Sequence, residues 1–205
     1  MAQPYKIMAV YNTQMVDSIL KTNDAQLVKD LRRRDPSAVT ELYNAYADRI
    51  YALVFNQVDR NHEVAQDIVQ ETFVAALKSA ANFRGQSKVY TWLCSIANKK
   101  VSDFYRRQKR QAKYQTITAL EPDQIGDVGA LVPDPAAAEE KHEATRQVLF
   151  SLPLHYRQVL ILKYVEEMPV LEISQIMGRS PKSIEGLLTR ARNELRAKLA
   201  TQSEG

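Results

Sequence analysis

Apolar residues recur along almost the whole chain at intervals of three and four, the spacing of one helix face. Stretches that alternate every second residue are few, and glycine is scarce at six in 205 residues, which argues against a β-rich fold. Asp35-Pro36 reads as an N-cap followed by a first-turn proline, opening a long helix through Leu42, Tyr46, Ile50 and Leu53. Asp59-Arg60-Asn61 is a polar break before a second long helix. There Val64, Ile68, Val69, Phe73, Ala76 and Leu77 line one side, while Asp67, Gln70 and Glu71 occupy another. A loop around Gly85, from Asn82 to Ser87, leads into a third helix from Lys88 to Arg110. Its predicted inner stripe is Val89, Leu93, Ile96, Ala97 and Phe104; Lys100 falls inside that stripe, where snorkelling of its stem would accommodate it.

Periodicity fades from Tyr114 to Ala138, a stretch with three prolines and two glycines that reads as a linker. Helix restarts at Asp134-Pro135, and the region from Ala136 to Leu199 has the pattern of a four-helix unit. Ile173, Ile176 and Met177 form an apolar face that stops at Gly178, a helix C-terminal signal. Ser180 and Pro181 then cap and open the next helix, whose inner face carries Ile184, Leu188, Ala191, Leu195 and Leu199. Its outer face shows Lys182, Gly186, Thr189 and Asn193, flanked by Glu185 and Arg190. Helix, short glycine-bearing turn, helix is a helix-turn-helix layout. The expected fold is therefore all-α: two small helical domains joined by a flexible linker.

Charge sharpens this division. The formal net charge is only +4, but it is unevenly placed. Lys99 to Lys113 holds seven basic residues against one acid, Asp103. Tyr114 to Ala138 holds four acids (Glu121, Asp123, Asp127, Asp134) and no lysine or arginine, and Arg179 to Lys198 returns to six basic against two acidic. Two basic blocks separated by an acidic strip form a pattern in need of a cause. No apolar run is long enough to span a bilayer, and the N-terminus lacks the layout of a signal peptide, which places the expected location in the cytoplasm. The lone Cys94, in an apolar stretch, is read as buried packing.

No catalytic constellation stands out. His62, His142 and His155 lack metal-ligand spacing, and neither a phosphate loop nor a nucleophile elbow is present, so no catalytic residue, metal or cofactor is expected. The acidic pairs Glu139-Glu140 and Glu166-Glu167 read as solvated surface. The second basic helix is a better candidate, because a helix fits the major groove and short polar or basic side chains reach base edges there. Arg190 is best suited to read guanine or hold a phosphate, with Lys182, Thr189 and Arg192 in support. The plainer reading is an amphipathic helix with a solvated basic face. In the first basic block Tyr90, Trp92, Phe104 and Tyr105 lie before or among Lys99, Lys100, Arg106, Arg107, Lys109 and Arg110. Cations that track a backbone beside rings that stack on bases suit single-stranded or melted DNA; the plainer reading puts Trp92 and Phe104 in the core.

These residues resemble the extracytoplasmic-function (ECF) sigma factors, the two-domain group of the sigma-70 family, over Asn23 to Leu199. The resemblance rests on Asp67-Ile-Val-Gln-Glu-Thr-Phe73, Phe83-Arg-Gly85, Tyr90-Thr-Trp-Leu93 and Ile96-Ala97 with the basic tail to Arg110. It continues through Leu152-Pro153, Glu172-Ile173, Ser183-Ile184-Glu185 and Arg190-Ala-Arg192. Two departures stand out: Asn98 comes one place early, with Lys99 in the usual asparagine position, and Pro169 replaces a capping serine.

The resemblance implies a non-enzymatic initiation subunit that binds core RNA polymerase, through the β′ clamp helices and the β flap, and promoter DNA. An anti-sigma factor is a further implied partner. It implies an extension over 1–22, a region 2 domain over 23–112, the acidic linker over 113–138, a region 4 helix-turn-helix domain over 139–199 and a tail over 200–205. Asp67, Gln70 and Glu71 match the polymerase-docking surface. The loop from Phe83 to Val89 and the start of the next helix match the part that captures a flipped base of the minus-10 element. The minus-10 set is then Phe83, Arg84, Ser87, Tyr90, Trp92, Asn98, Lys99, Arg106 and Arg107. Lys182, Glu185, Gly186, Thr189, Arg190 and Arg192 form the minus-35 set. A free-standing helix-turn-helix regulator, binding duplex DNA without polymerase, is the alternative; it leaves the Asp67–Phe73 surface and the aromatic-basic cluster without a purpose.

Overall fold

The computed structural model describes residue 24 and residues 26–33, 35–118 and 145–203; the N-terminal extension, most of the linker, His142 and Glu139-Glu140 lie outside them. Helices and turns alternate throughout, and no strand occurs among the described residues. α1 (26–32) buries Leu27 and Leu31, four apart and so on one face. α2 (Pro36–Gln57) starts as the sequence indicates, with the Asp35 carboxylate accepting the Ser37 N–H at 2.9 Å. Its buried stripe of Ala38, Leu42, Tyr46, Ile50, Leu53 and Val54 recurs at helical spacing.

The polar break is sharper than a loop. Asp59 and Arg60 both adopt left-handed backbone (φ 55 and 56), and Asn61 then caps α3 (His62–Ser79) by accepting the Val64 N–H at 3.0 Å. Asn and Asp tolerate that region better than most residues; Arg60 has no such excuse, and its N–H bonds Phe55 C=O at 3.0 Å instead. α3 buries Ala65, Ile68, Val69, Thr72, Phe73 and Ala76, whereas Leu77, expected inside, is 37% exposed. A 3₁₀ turn (Ala80–Asn82) and Gly85 at φ 70 redirect the chain. α4 (Val89–Thr118) follows, its first turn receiving Asp24, whose carboxylate accepts the Val89 N–H at 3.3 Å and the Tyr46 hydroxyl.

α4 continues past Arg110, the expected end, to Thr118. Its inner stripe is Val89, Tyr90, Leu93, Cys94, Ala97, Asn98 and Val101, with Ile96 and Phe104 only half-buried. The stripe is rotated because the helix packs on two partners, α2 and α3 on one side and α7 on the other. Rotation also accounts for Lys100, which lies at the edge and reaches Glu71 at 3.0 Å. Cys94 is fully buried, and burial pushes its thiol well above the ordinary range.

The second domain is built from α5 (145–151), α6 (Leu154–Leu160), α7 (Val170–Met177) and α8 (Pro181–Ser203). α6 runs directly into a π-helical turn over Ile161–Val165, which ends at Glu166 and at Glu167 with φ 52. Such a turn widens the helix and re-aims the side chains beyond it. Gly178 ends α7 at φ 62, a left-handed position where glycine pays no Cβ penalty. Ser180 Oγ accepts the Ser183 N–H at 3.3 Å, and Pro181 opens α8. Ile173, Ile176, Ile184, Leu187, Leu188 and Ala191 close the core between these helices.

Candidate nucleic-acid and polymerase interfaces

Three surfaces gather the residues singled out by the sequence. On α8 the inner face is fixed by Ile184, Leu187, Leu188 and Ala191, so the outer face must look to solvent. Lys182, Glu185, Thr189, Arg190 and Arg192 are all exposed there, and Gly186 is half-buried among them. Thr189 Oγ1 donates to Glu185 C=O at 3.0 Å, and an Arg192 guanidinium nitrogen lies 3.4 Å from the same hydroxyl. The Arg190 guanidinium lies over Gly186, its Nη1 at 3.5 Å from where a Cβ would stand, an ordinary contact distance. The guanidinium therefore lies back along the helix towards its N-terminal end.

The second surface is a groove of about 420 Å³ lined by Ser79, Asn82, Phe83, Arg84, Gln86, Ser87 and Trp92. Phe83 and Trp92 stack at 4.5 Å between ring centres with planes 19° apart. Phe83 C=O accepts a hydrogen bond from Arg32, which ties the loop to α1. Phe83 is buried, while Trp92, which the plainer reading put in the core, is only half-buried and lines the groove. Arg84 and Ser87 line it as well, so a planar ring entering there would meet an aromatic wall, a hydroxyl and a cation.

The third surface runs along α3. Asp67, Gln70, Glu71, Val74, Ala75 and Lys78, with Lys100 from α4, line a shallow groove of about 420 Å³. Exposed Val74, Leu77 and Tyr43 add apolar area beside the acids. The sequence reading found the acids and missed the apolar members, although positions 67, 70, 71, 74 and 78 follow one helix face. Glu71 pairs with Lys100 at 3.0 Å and with Arg107 at 3.7 Å. The Lys100 hydrogen bond holds the Glu71 carboxyl below its ordinary value against the opposing effect of burial.

The remaining members of the expected minus-10 set divide. Lys99, Arg106 and Arg107 are exposed along α4, Arg106 also pairing with Asp103 at 2.7 Å. Tyr90 and Asn98 instead lie against the second domain. The Tyr90 hydroxyl donates to Glu166 at 2.9 Å, and the Arg49 guanidinium sits 3.8 Å above its ring. Asn98 C=O accepts from the Gln158 amide at 3.2 Å. Glu166 is thus half-buried rather than solvated as expected, because the π-helical turn directs it at α4; Glu167 is exposed. His62 bonds the Tyr51 hydroxyl and packs on the Phe55 ring, and His155 packs on the Tyr156 ring. Among the described residues no cluster of His, Cys, Asp or Glu could hold a metal ion, and no helix is long and apolar enough to cross a membrane.

Comparison with known proteins matches two family regions along the chain. Residues 42–111 match the family model for sigma-70 region 2, and residues 142–195 match that for sigma-70 region 4. The RNA polymerase sigma factor YlaC of Bacillus subtilis is 32% identical over 175 residues, 85% of this chain and 98% of the relative. The ECF RNA polymerase sigma factor SigW of the same organism is 30% identical over 179 residues, 84% of this chain and 94% of the relative. Among solved structures, CnrH in complex with the cytosolic domain of CnrY shares the fold with a TM-score of 0.61 at 24% identity, covering 87% of this chain and 97% of that one. The sigma factor RpoE of Bartonella quintana, in complex with the anti-sigma factor NepR, does so with a TM-score of 0.58 at 20% identity, covering 78% and 96%. With both regions matched in order and such relatives aligned over nearly their whole length, the chain belongs to the ECF group of the sigma-70 family of RNA polymerase sigma factors.

Proposed function

We propose that this sigma factor directs promoter-specific initiation by dividing the promoter between its domains, α8 reading the minus-35 element and the Phe83–Trp92 groove with the α4 cations capturing the melted minus-10 element. The observation that carries this reading is the pair of unlike surfaces. A rigid helix with an exposed polar and basic face suits the major groove of duplex DNA, where Arg190 and Lys182 reach base edges and phosphates. A stacked aromatic wall beside Arg84 and Ser87 suits an unpaired base, whose extraction from the stack costs a few kcal/mol.

The α3 groove is assigned to core polymerase. Acids flanked by exposed Val74 and Leu77 form a surface with apolar contact area and polar ends, the composition of a protein interface rather than of a DNA contact. Sigma factors are generally non-catalytic regulatory subunits, and this chain is assigned to that class, acting in the cytoplasm. An anti-sigma factor is a further proposed partner, since the RpoE relative is described in complex with one.

Promoter binding measured with and without core polymerase tests the division. A promoter fragment is bound tightly by the chain plus core and weakly by the chain alone, with affinity falling steeply as salt rises. Equally tight binding by the chain alone identifies a free-standing regulator instead.

A further inference from the structure

Lys88, Lys100, Arg106 and Arg146 each hold a carboxylate, and Arg157 is folded against the Tyr105 and Phe150 rings. Arg179 and Arg190 differ. Among the described residues neither has a carboxylate partner. Both are exposed, Arg179 in the turn between α7 and α8 and Arg190 in the third turn of α8. Packing of α6 on α8 brings a third group to them, the exposed His155, whose ring rests edge-on against Tyr156 at 4.5 Å between centres. Partial burial, then the charges of Arg179 and Arg190, hold its imidazole below the ordinary histidine range.

No acid offsets these three groups. Glu185 precedes Arg190 by five positions and so lies about 140° round the helix from it. Glu194 follows Arg190 by four, on the same side, yet makes no ion pair with it. Arg157, on the same helix as His155, points away to the Tyr105 ring, and Lys163 of the π-helical turn donates to Met168 C=O at 3.3 Å. Like charges gathered without a counter-charge repel one another, and an anion seated among them removes that repulsion. A helix lying in the major groove has a sugar-phosphate strand along each side. Donors on the preceding turn and on a neighbouring helix therefore stand where phosphates pass.

We infer that His155, Arg179 and Arg190 form a phosphodiester-binding site at the edge of the α8 surface, where the protonated His155 imidazole contacts the backbone of the minus-35 duplex. The inference rests on the α8 reading above and adds to it a residue outside the helix-turn-helix. Such a contact sets the position of the domain on the duplex and carries no sequence information. It also titrates. A phosphate beside the imidazole favours its protonated form, so the ring holds its proton to higher pH in the complex than in the free chain. Above the complex value the ring is neutral in both states and adds nothing. As pH falls through that value, binding takes up a proton and tightens; below the free-chain value the gain is complete.

Promoter binding by the full chain with core polymerase, at about pH 6 and about pH 8, compares the unaltered protein with His155→Gln. The unaltered protein should bind about threefold more tightly or better at the lower pH and equally at the higher. At the lower pH alone, the slope of log affinity on log salt should be shallower by about one in the variant. His155→Lys keeps the charge and should bind more tightly than the unaltered protein at the higher pH. On a fragment ending downstream of the minus-35 element, the difference between His155 and His155→Gln should vanish. An affinity ratio that is the same at both pH values, or that survives on the shortened fragment, overturns the inference. In the free chain, Arg179→Gln should raise the His155 titration midpoint read by proton NMR; an unmoved midpoint shows that the groups do not act together and overturns it as well. Failure of the unaltered chain to bind the promoter fragment with core polymerase counts against the sigma reading itself. Loss of the pH-dependent ratio alone removes the phosphate site and leaves that reading standing.

Discussion

In the second domain the side chains assigned to DNA stand clear on one side of α8, and the side chains that fix the helix stand on the other. In the first domain the two jobs share residues. Phe83 is both core and groove wall, Tyr90 is both inner stripe and a contact with Glu166, and Glu71 serves the α3 groove while bonded to Lys100 of the basic helix. A reader of duplex DNA needs only a rigid rod with a presented face, so local sequence suffices to build it. A surface that grips a melted strand needs a concave site, which only several elements together can form. The second domain is therefore modular, while the first is coupled to everything packed around it.

The sharpest way to break this contrast is to remove the anchor of the modular side. Leu187, fully buried in α8, should destabilise the second domain by about 2–5 kcal/mol on replacement with alanine, read by urea unfolding. Minus-35-dependent transcription falls with it, while core binding through the α3 groove persists; equal loss of both would show that the domains do not act separately. Next in size, Arg190→Ala should weaken use of the minus-35 element by roughly 1–3 kcal/mol if the guanidinium reads a base, measured as the change in discrimination between intact and mutated elements. Replacing Gln70 and Glu71 together with alanine should weaken core binding about tenfold, roughly 1.4 kcal/mol, in competition with an unaltered chain. Undiminished competition removes the α3 groove from the docking surface.

The smallest effect concerns pH. Burial raises the Glu166 carboxyl above its ordinary value, against the Tyr90 hydroxyl hydrogen bond and the Arg49 charge, which lower it; Cys94 lies in the same electrostatic neighbourhood. The folded chain then holds that proton to higher pH than an unfolded chain does. This contribution to stability is present below the ordinary carboxylate value and is lost as pH rises through the raised one. Urea unfolding should show greater stability near the ordinary carboxylate value than well above the raised one, and Glu166→Gln should remove this part of the trend.

Much of the fold was legible because its punctuation is local. Asp35-Pro36, Asn61, Gly178 and Ser180-Pro181 each act within a turn or two, and each caps or ends the helix expected of it. The α8 inner stripe is nearly complete in the sequence, lacking only Leu187. What stayed hidden depends on partners far along the chain. No pattern around Glu166 announces that a π-helical turn will swing it onto Tyr90, 76 positions earlier. The pairing of Lys88 with Glu172 joins residues 84 apart, and neither helix carries a trace of it. The rotated stripe of α4 has the same origin, since a helix packed on two sides buries more than one face.

The most direct test of the central claim is run-off transcription on fragmented genomic DNA by core RNA polymerase with and without this protein. New discrete start sites, preceded by two shared and spaced sequence elements, are the predicted result. An unchanged set of transcripts, from a chain that nonetheless folds and binds core, would contradict it.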